Sequence, residues 1–281
     1  MPPRGYSMSL AFPPFTPWVK RLLIANSVIL FLLEVFRVAA PNFRQDVLTF
    51  LGLVPQAVTH GYIWQLVTYS FLHATLFHLL FNMLWLWMFG SQLESDWGSK
   101  KFLEFYFFCV VGAGLITVAV AYTGLLGLSP RTVTIGSSGG IYGILVAFGM
   151  LYGNRELMLF PLPFVIKAKY LVMGLIFIAV IGAFQDVGGV ANFAHLGGAL
   201  FGYLYVKFLP RRGLGLAASE GYFGLRNGYY RWKRRRAAKK FQVYMKQQGR
   251  DVYFDEYGNY RGPGSDPSKK KNGESKSPWV H

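Results

Sequence analysis

Acidic residues and cysteines are scarce in this chain, and long stretches carry no charge of either sign. The single cysteine, Cys109, stands in an apolar run. It excludes an intrachain disulfide framework and is expected to be a small core residue. Asp and Glu number 13 against 29 Lys and Arg, and charged residues of both signs make up only 15% of the chain. A soluble domain usually carries about 25%. H-E-x-x-H is absent, and His73 and His78 are five apart, which puts them on diverging faces of one helix and argues against a metalloprotease. No repeat of fixed period and no sustained heptads run through the chain, so a solenoid and a coiled coil are excluded as well.

What is present is apolar. Hydrophobic residues make up 53% of the 281, and aromatic residues 17%. The charge is gathered at one end: residues 210–281 hold 17 Lys and Arg against 6 Asp and Glu. That is the composition of a polytopic membrane protein with a basic tail. A spanning helix needs roughly 20 apolar residues. Six segments qualify, at about 20–39, 74–93, 102–123, 137–153, 168–185 and 190–208. The first is longer than the roughly 7–15 residues of a signal-peptide core and reads as an uncleaved span. The expected organisation is a cytoplasmic N-terminal segment over 1–19, a six-helix domain over 20–209 and a basic cytoplasmic tail over 210–281. Lys20, Arg21, Lys100, Lys101, Arg155, Lys167 and Lys169 gather on one side, and Arg37, Arg44 and Arg131 on the other. Both termini are therefore expected in the cytoplasm. The even-numbered segments then all start from the outer face.

Three of these segments carry polar groups at a similar, shallow depth. Ser138 lies at the outer end of the fourth. His195 lies about five residues into the sixth, roughly 7–8 Å below its end. His78 and Asn82 lie in the first third of the second. Taken singly, a serine in a membrane helix eases packing and a histidine in a core is a hydrogen-bonded filler. Together, inside a bilayer, such groups tend to face a cavity or each other. Imidazole can take the proton of a serine hydroxyl near pH 7, and the charge then built on a carbonyl oxygen needs fixed donors. Backbone N–H groups at the start of a helix can supply them. So can His78 and Asn82, four apart on one helix face. Gly136, Gly139, Gly140 and Gly143 strip one end of the fourth segment of bulk, and Gly197, Gly198 and Gly202 match them in the sixth. G-x-x-x-G spacing lets membrane helices approach closely, as a Ser–His hydrogen bond between them requires.

G-S-S-G around Ser138, A-H-L-G-G-A-L-F-G from Ala194 to Gly202 and H-L-L-F-N from His78 to Asn82 resemble the motifs of rhomboid intramembrane serine proteases. The resemblance covers about residues 20–208 in order and helix placement. It implies an all-α six-transmembrane-helix bundle, a catalytic Ser138–His195 dyad and an oxyanion site from the Ser138 N–H, His78 and Asn82. Tyr142 matches the tyrosine that stacks on the catalytic imidazole, with Gly136, Gly139 and Gly198 as supporting positions. Glu94 matches a structural glutamate near the inner end of the second helix. The implied activity is hydrolysis of transmembrane protein substrates near the outer face, in the setting of a bacterial plasma membrane, with no cofactor and no metal. One position departs: many relatives carry Trp-Arg in the first loop, about residues 40–73, where this chain has Trp64-Gln65.

Other readings are weaker. Gly136 to Gly140 also satisfies G-x-S-x-G, and Ser138, Asp186 and His195 follow the chain order of α/β-hydrolases. Six apolar spans leave no room for the parallel sheet which that fold needs. A transporter could be argued from Glu34 and Glu104, but both lie near helix ends, where snorkelling accounts for them. A non-catalytic rhomboid-like protein that escorts membrane clients usually lacks the serine or the histidine. In the tail, Tyr229 to Phe241 reads as a basic amphipathic helix on anionic lipid headgroups, in preference to nucleic acid. Gly262 to Lys276, rich in Gly, Pro, Ser and Lys, reads as disordered.

Overall fold

The computed structural model describes residues 13–124, 129–158, 165–184, 189–208 and 214–261. The predicted loop residue Asp186 and the stretch from Gly262 to Lys276 lie outside them. The chain divides into two units, Met1–Gly213 and Leu214–His281.

In the first unit, helix α1 runs from Pro17 to Ala39. Proline at its first position suits a helix start, where an N–H would have no intrahelical partner. The N–H groups of this first turn, which lack intrahelical acceptors, are met instead by Glu94, whose carboxylate accepts from Trp18 N at 3.0 Å and Val19 N at 2.9 Å. It also accepts from the hydroxyls of Thr16 and Ser99. A carboxylate at the positive end of a helix is favourable. Pro41 then opens α2 (Pro41–Leu51), followed by two short helices, α3 (Pro55–Thr59) and α4 (Gln65–Thr68).

A long apolar helix follows as α5 (Leu76–Trp85), a π-helical turn (Leu86–Gly90) and α6 (Ser91–Trp97). It begins at Leu76, so His73 precedes it. The expectation that His73 and His78 point to diverging faces of one helix is thereby corrected: their rings are 5.0 Å apart, edge to face. A tight turn ends at Gly98, whose φ of 78° favours glycine, and α7 runs from Ser99 to Ala121. The unit is completed by α8 (Ser138–Leu151), the short antiparallel pair β1 (Glu156–Met158) and β2 (Val165–Lys167), α9 (Ala168–Phe184) and α10 (Gly189–Phe208).

A helix thus occupies each of the six apolar segments. Three of them, α1, the run Leu76–Trp97 and α7, are long and apolar enough to cross a membrane; α8 and α9 are shorter apolar helices. The core lies where α7, α8 and α10 pack on one another, around Phe105, Tyr106, Cys109, Ile141 and Ile144, all fully or almost fully buried. The outer surface is apolar too. Phe31 on α1, Phe77 and Phe81 on α5, and Phe177 and Ile178 on α9 are more than half exposed. Hydrocarbon suits such a surface better than water does.

In the second unit, α11 extends from Leu214 to Gln247 and is followed by the hairpin of β3 (Tyr253–Phe254) and β4 (Tyr260–Arg261). Asp255 shapes the hairpin turn by accepting from Tyr257 N and Asn259 N, each at 2.8 Å. The Asn259 N–H holds that carboxyl below the usual carboxylate range. Phe254 packs edge-on against Phe241 of the helix. The predicted stretch Tyr229 to Phe241 is helical, but within a 34-residue helix. The amphipathic part of that expectation is corrected. Consecutive helical residues point about 100° apart, so Arg234, Arg235 and Arg236 together spread over about 200° of the helix rather than lining one narrow face.

Candidate active site

Helices α8 and α10 are brought together by absence of side chains. A Cβ on Gly198 would overlap the Gly139 carbonyl, and one on Gly202 would lie 2.7 Å from Gly143 Cα. Only main chain against main chain fits there. Of the glycines matched in the sequence, Gly139 and Gly143 meet Gly198 and Gly202 directly, whereas Gly140 and Gly197 face α7, against Tyr106 and Ile116, and Gly136 faces His78. The α8–α10 contact sets Ser138, the first residue of α8, opposite His195, inside α10. The Ser138 Oγ and His195 Nε2 are 2.8 Å apart. One turn along α8, the Tyr142 ring stacks on the His195 imidazole, with centroids 4.4 Å apart and planes 9° from parallel. His195 Nδ1 is buried and has no hydrogen-bond partner among the protein atoms. No third side chain is bonded to the imidazole among the described residues.

Ser137 and Ser138 are adjacent and have different surroundings. Ser137 is fully buried, and its hydroxyl meets His73 Nε2 at 3.2 Å. Ser138 is partly exposed. Of the two hydroxyls, the one at His195 is the reachable one.

The α5 residues come from a helix start that Thr75 caps: its hydroxyl accepts from His78 N at 3.1 Å. His78 Nδ1 accepts a long, 3.4 Å bond from the Ala74 backbone N–H. A neutral imidazole accepting at Nδ1 carries its proton on Nε2. That nitrogen faces the turn before α8, since a Cβ on Gly136 would lie 2.9 Å from it and 3.7 Å from Ser138 Oγ. Gly136 also has a φ of 127°, so any other residue there would be strained and would strike His78. Asn82 is buried, and its Nδ2 donor has no partner among the protein atoms. A buried, unused donor is costly unless something else completes it. The predicted residues Ser138, His195, Tyr142, His78, Gly136, Gly139 and Gly198 are thus assembled about one point, with Asn82 one turn below His78 on the same helix face.

The turn before α8 is held by main-chain bonds. Leu53 and Thr134 exchange two hydrogen bonds of 2.9 Å, and Gly136 N donates to Tyr69 O at 2.9 Å. The Tyr69 hydroxyl in turn donates to Val110 O at 2.8 Å. Sequence reasoning missed Tyr69, Ser137 and the position of His73. The one signal on offer was Thr75 before an apolar run, which reads as a cap and would have moved His73 out of the helix.

Gln65, the departure in the first loop, is fully buried. Its Oε1 accepts from Val54 N at 2.9 Å, and its Nε2 donates to Thr49 O at 3.0 Å. The neighbouring Trp64 Nε1 donates to Phe50 O at 2.9 Å. Trp64-Gln65 thus ties the loop to the end of α2 and to Val54.

A family model described as the Rhomboid domain matches residues 60–212. The chain is 30% identical over 169 residues to Rhomboid-like protease 3 of Toxoplasma gondii, covering 60% of this chain and 59% of that protein. It is 28% identical over 254 residues to RHOMBOID-like protein 1 of Arabidopsis thaliana, covering 77% and 59%. To Rhomboid protease GlpG of Yersinia pestis (strain Pestoides F) it is 27% identical over 152 residues, covering 50% and 46%. The chain spans less than two thirds of the length of each of these relatives. The matched region takes in every residue of the cluster just described and more than half of a helical chain with membrane-spanning segments, and the protein is accordingly an integral membrane protein of the rhomboid family.

Proposed function

We propose that this protein is a serine endopeptidase that cuts transmembrane protein substrates near the outer membrane face. The observation that carries the reading is the 2.8 Å approach of Ser138 Oγ to His195 Nε2 between two helices in glycine contact. Relatives named as proteases agree with it. In this reading His195 takes the Ser138 proton as Oγ attacks the scissile carbonyl, and the new C–O bond leaves a tetrahedral oxyanion. The Nε2–H of His78, the Nδ2 of Asn82 and the Ser138 backbone N–H are the donors that would meet that charge. His195 then passes the proton to the departing amine, and water, deprotonated by the same imidazole, releases the acyl-enzyme. Tyr142, stacked on the ring, keeps Nε2 aimed at Oγ through both halves.

The bilayer arrangement is part of the proposal: six spans, both termini on the Lys- and Arg-rich cytoplasmic side, and a bacterial plasma membrane. For the tail, with its cations around α11, anionic headgroups are the partner we favour, at about 1 kcal/mol per cation near the surface. The deciding experiment incubates the purified protein with a transmembrane substrate and compares it with Ser138→Ala. Cleavage by the first and none by the second is expected. Equal results from both would end the proposal, leaving a non-catalytic client-binding protein as the alternative.

A further inference from the structure

Beside Ser138–His195 lies a second serine–histidine pair that the proposed chemistry does not use. His73 Nε2 stands 3.2 Å from Ser137 Oγ, and both residues are fully buried. Burial closes Ser137 to any substrate, so the pair is not a second nucleophile. Its location is telling. His73 sits in the irregular stretch between the turn at Tyr69–Phe71 and the Thr75 cap of α5. Ser137 is the residue preceding α8. One bond therefore joins the two segments that carry the oxyanion donors: His78 in the first turn of α5, and the Ser138 N–H at the start of α8. The His73 ring also meets the His78 ring edge-on, at 5.0 Å and 65°, which limits how far His78 can turn about its own ring axis.

We propose that His73 is a positioning residue, which through Ser137 and the His78 ring holds the α5 donors and the α8 N-terminus in register at the oxyanion site. The inference rests on the proteolytic reading above. Main-chain bonds fix the backbone of the turn, and His73–Ser137 adds the side-chain link between the two segments. Gly136 has no side chain, and its one bond, to Tyr69 O, lies on the main chain. A displacement of about 1 Å can cost roughly 10²-fold in rate, so a single well-placed bond matters.

A buried histidine could instead be a filler, and the two roles differ measurably. A filler acts through stability and costs the same in any background, whereas a positioning residue acts only while its target is present. Turnover of a transmembrane substrate is measured for wild type, His73→Ala, Ser137→Ala, His78→Ala and the double variant His73→Ala/His78→Ala. His73→Ala should lower kcat about 10- to 100-fold, with KM unchanged. In the His78→Ala background, where one of the donors it positions is gone, the same change should cost distinctly less, the non-additivity expected of coupled neighbours. His73→Gln, which can again reach Ser137, should recover part of the loss. Equal costs in both backgrounds, or a His73→Ala enzyme with wild-type kcat, would overturn the inference and leave the dyad standing. Were His73→Ala not to fold, Ser137→Ala in the two backgrounds gives the same comparison. A wild-type protein without Ser138-dependent turnover would remove the proteolytic reading, and this inference with it.

Discussion

Two serines one peptide bond apart face different histidines, and this asymmetry makes the residue-scale predictions sharp. Ser138→Ala should abolish both cleavage and labelling by a fluorophosphonate. Ser137→Ala should keep the label on Ser138 at reduced turnover. The reverse pattern would reassign the nucleophile. His195→Ala should leave almost no activity, because among the described residues no other base bonds Ser138 Oγ. Asn82→Ala and His78→Ala should each keep a remnant, since one oxyanion donor is typically worth about 10²–10³ in rate. Wild-type turnover from His195→Ala would remove the dyad. These residues were legible in the sequence because a hydroxyl, two imidazoles and a carboxamide are expensive in apolar runs. The partners of Ser137 and Glu94 were not. Glu94 draws donors from Thr16, Trp18 and Val19, 75 to 78 positions away, which leaves no local trace, as well as from nearby Ser99.

Among the elements, the α8–α10 seam is tested at Gly198. Gly198→Val would push side chain into the Gly139 carbonyl and should lower both activity and the thermal midpoint in detergent. Gly174 on α9 has open space where a Cβ would stand, with nothing within 4 Å, so Gly174→Ala should leave activity unchanged and serves as the control. Full activity from Gly198→Val would mean that the glycines do not set the Ser–His distance. The long helices were readable from length and apolarity alone. Helices α2, α3 and α4 were not, being too short for a periodic signal and held by side chains reaching back to the main chain. Gln65 shows how. Gln65→Ala should leave the Val54 N–H without its acceptor, at a cost of about 1–3 kcal/mol, read as a lower unfolding midpoint. Gln65→Arg could still donate to the Thr49 carbonyl but offers Val54 no acceptor, and should fall between the two. An unchanged midpoint in Gln65→Ala would show that the loop does not depend on this residue.

For the whole molecule, the candidate site lies within the first unit, between His73 and His195, and the tail forms the second. A protein truncated after Arg212 should therefore cleave a model substrate in detergent at close to the full-length rate. The full-length protein should associate with anionic vesicles more strongly than the truncated one, and the difference should shrink with salt, as a Debye length of about 10 Å at 0.1 M implies. Loss of activity on truncation, with the spans still folded, would give the tail a role beyond lipid contact.

The main-chain seam between α8 and α10 also bears on how the protein responds to its membrane. Helix α8 has 14 residues, about 21 Å at 1.5 Å per residue, whereas a hydrocarbon core is about 30 Å thick. Hydrophobic mismatch is met by tilting or by local deformation of the lipid, and the long helices α1 and α7 present the tall lipid-matching surfaces. The seam has no rotamers to adjust, so Ser138 and His195 must move as one body when the bilayer thins or thickens. Under the proposed chemistry, lipid thickness would then change where along a substrate Ser138 sits, while its distance to His195 stays the same.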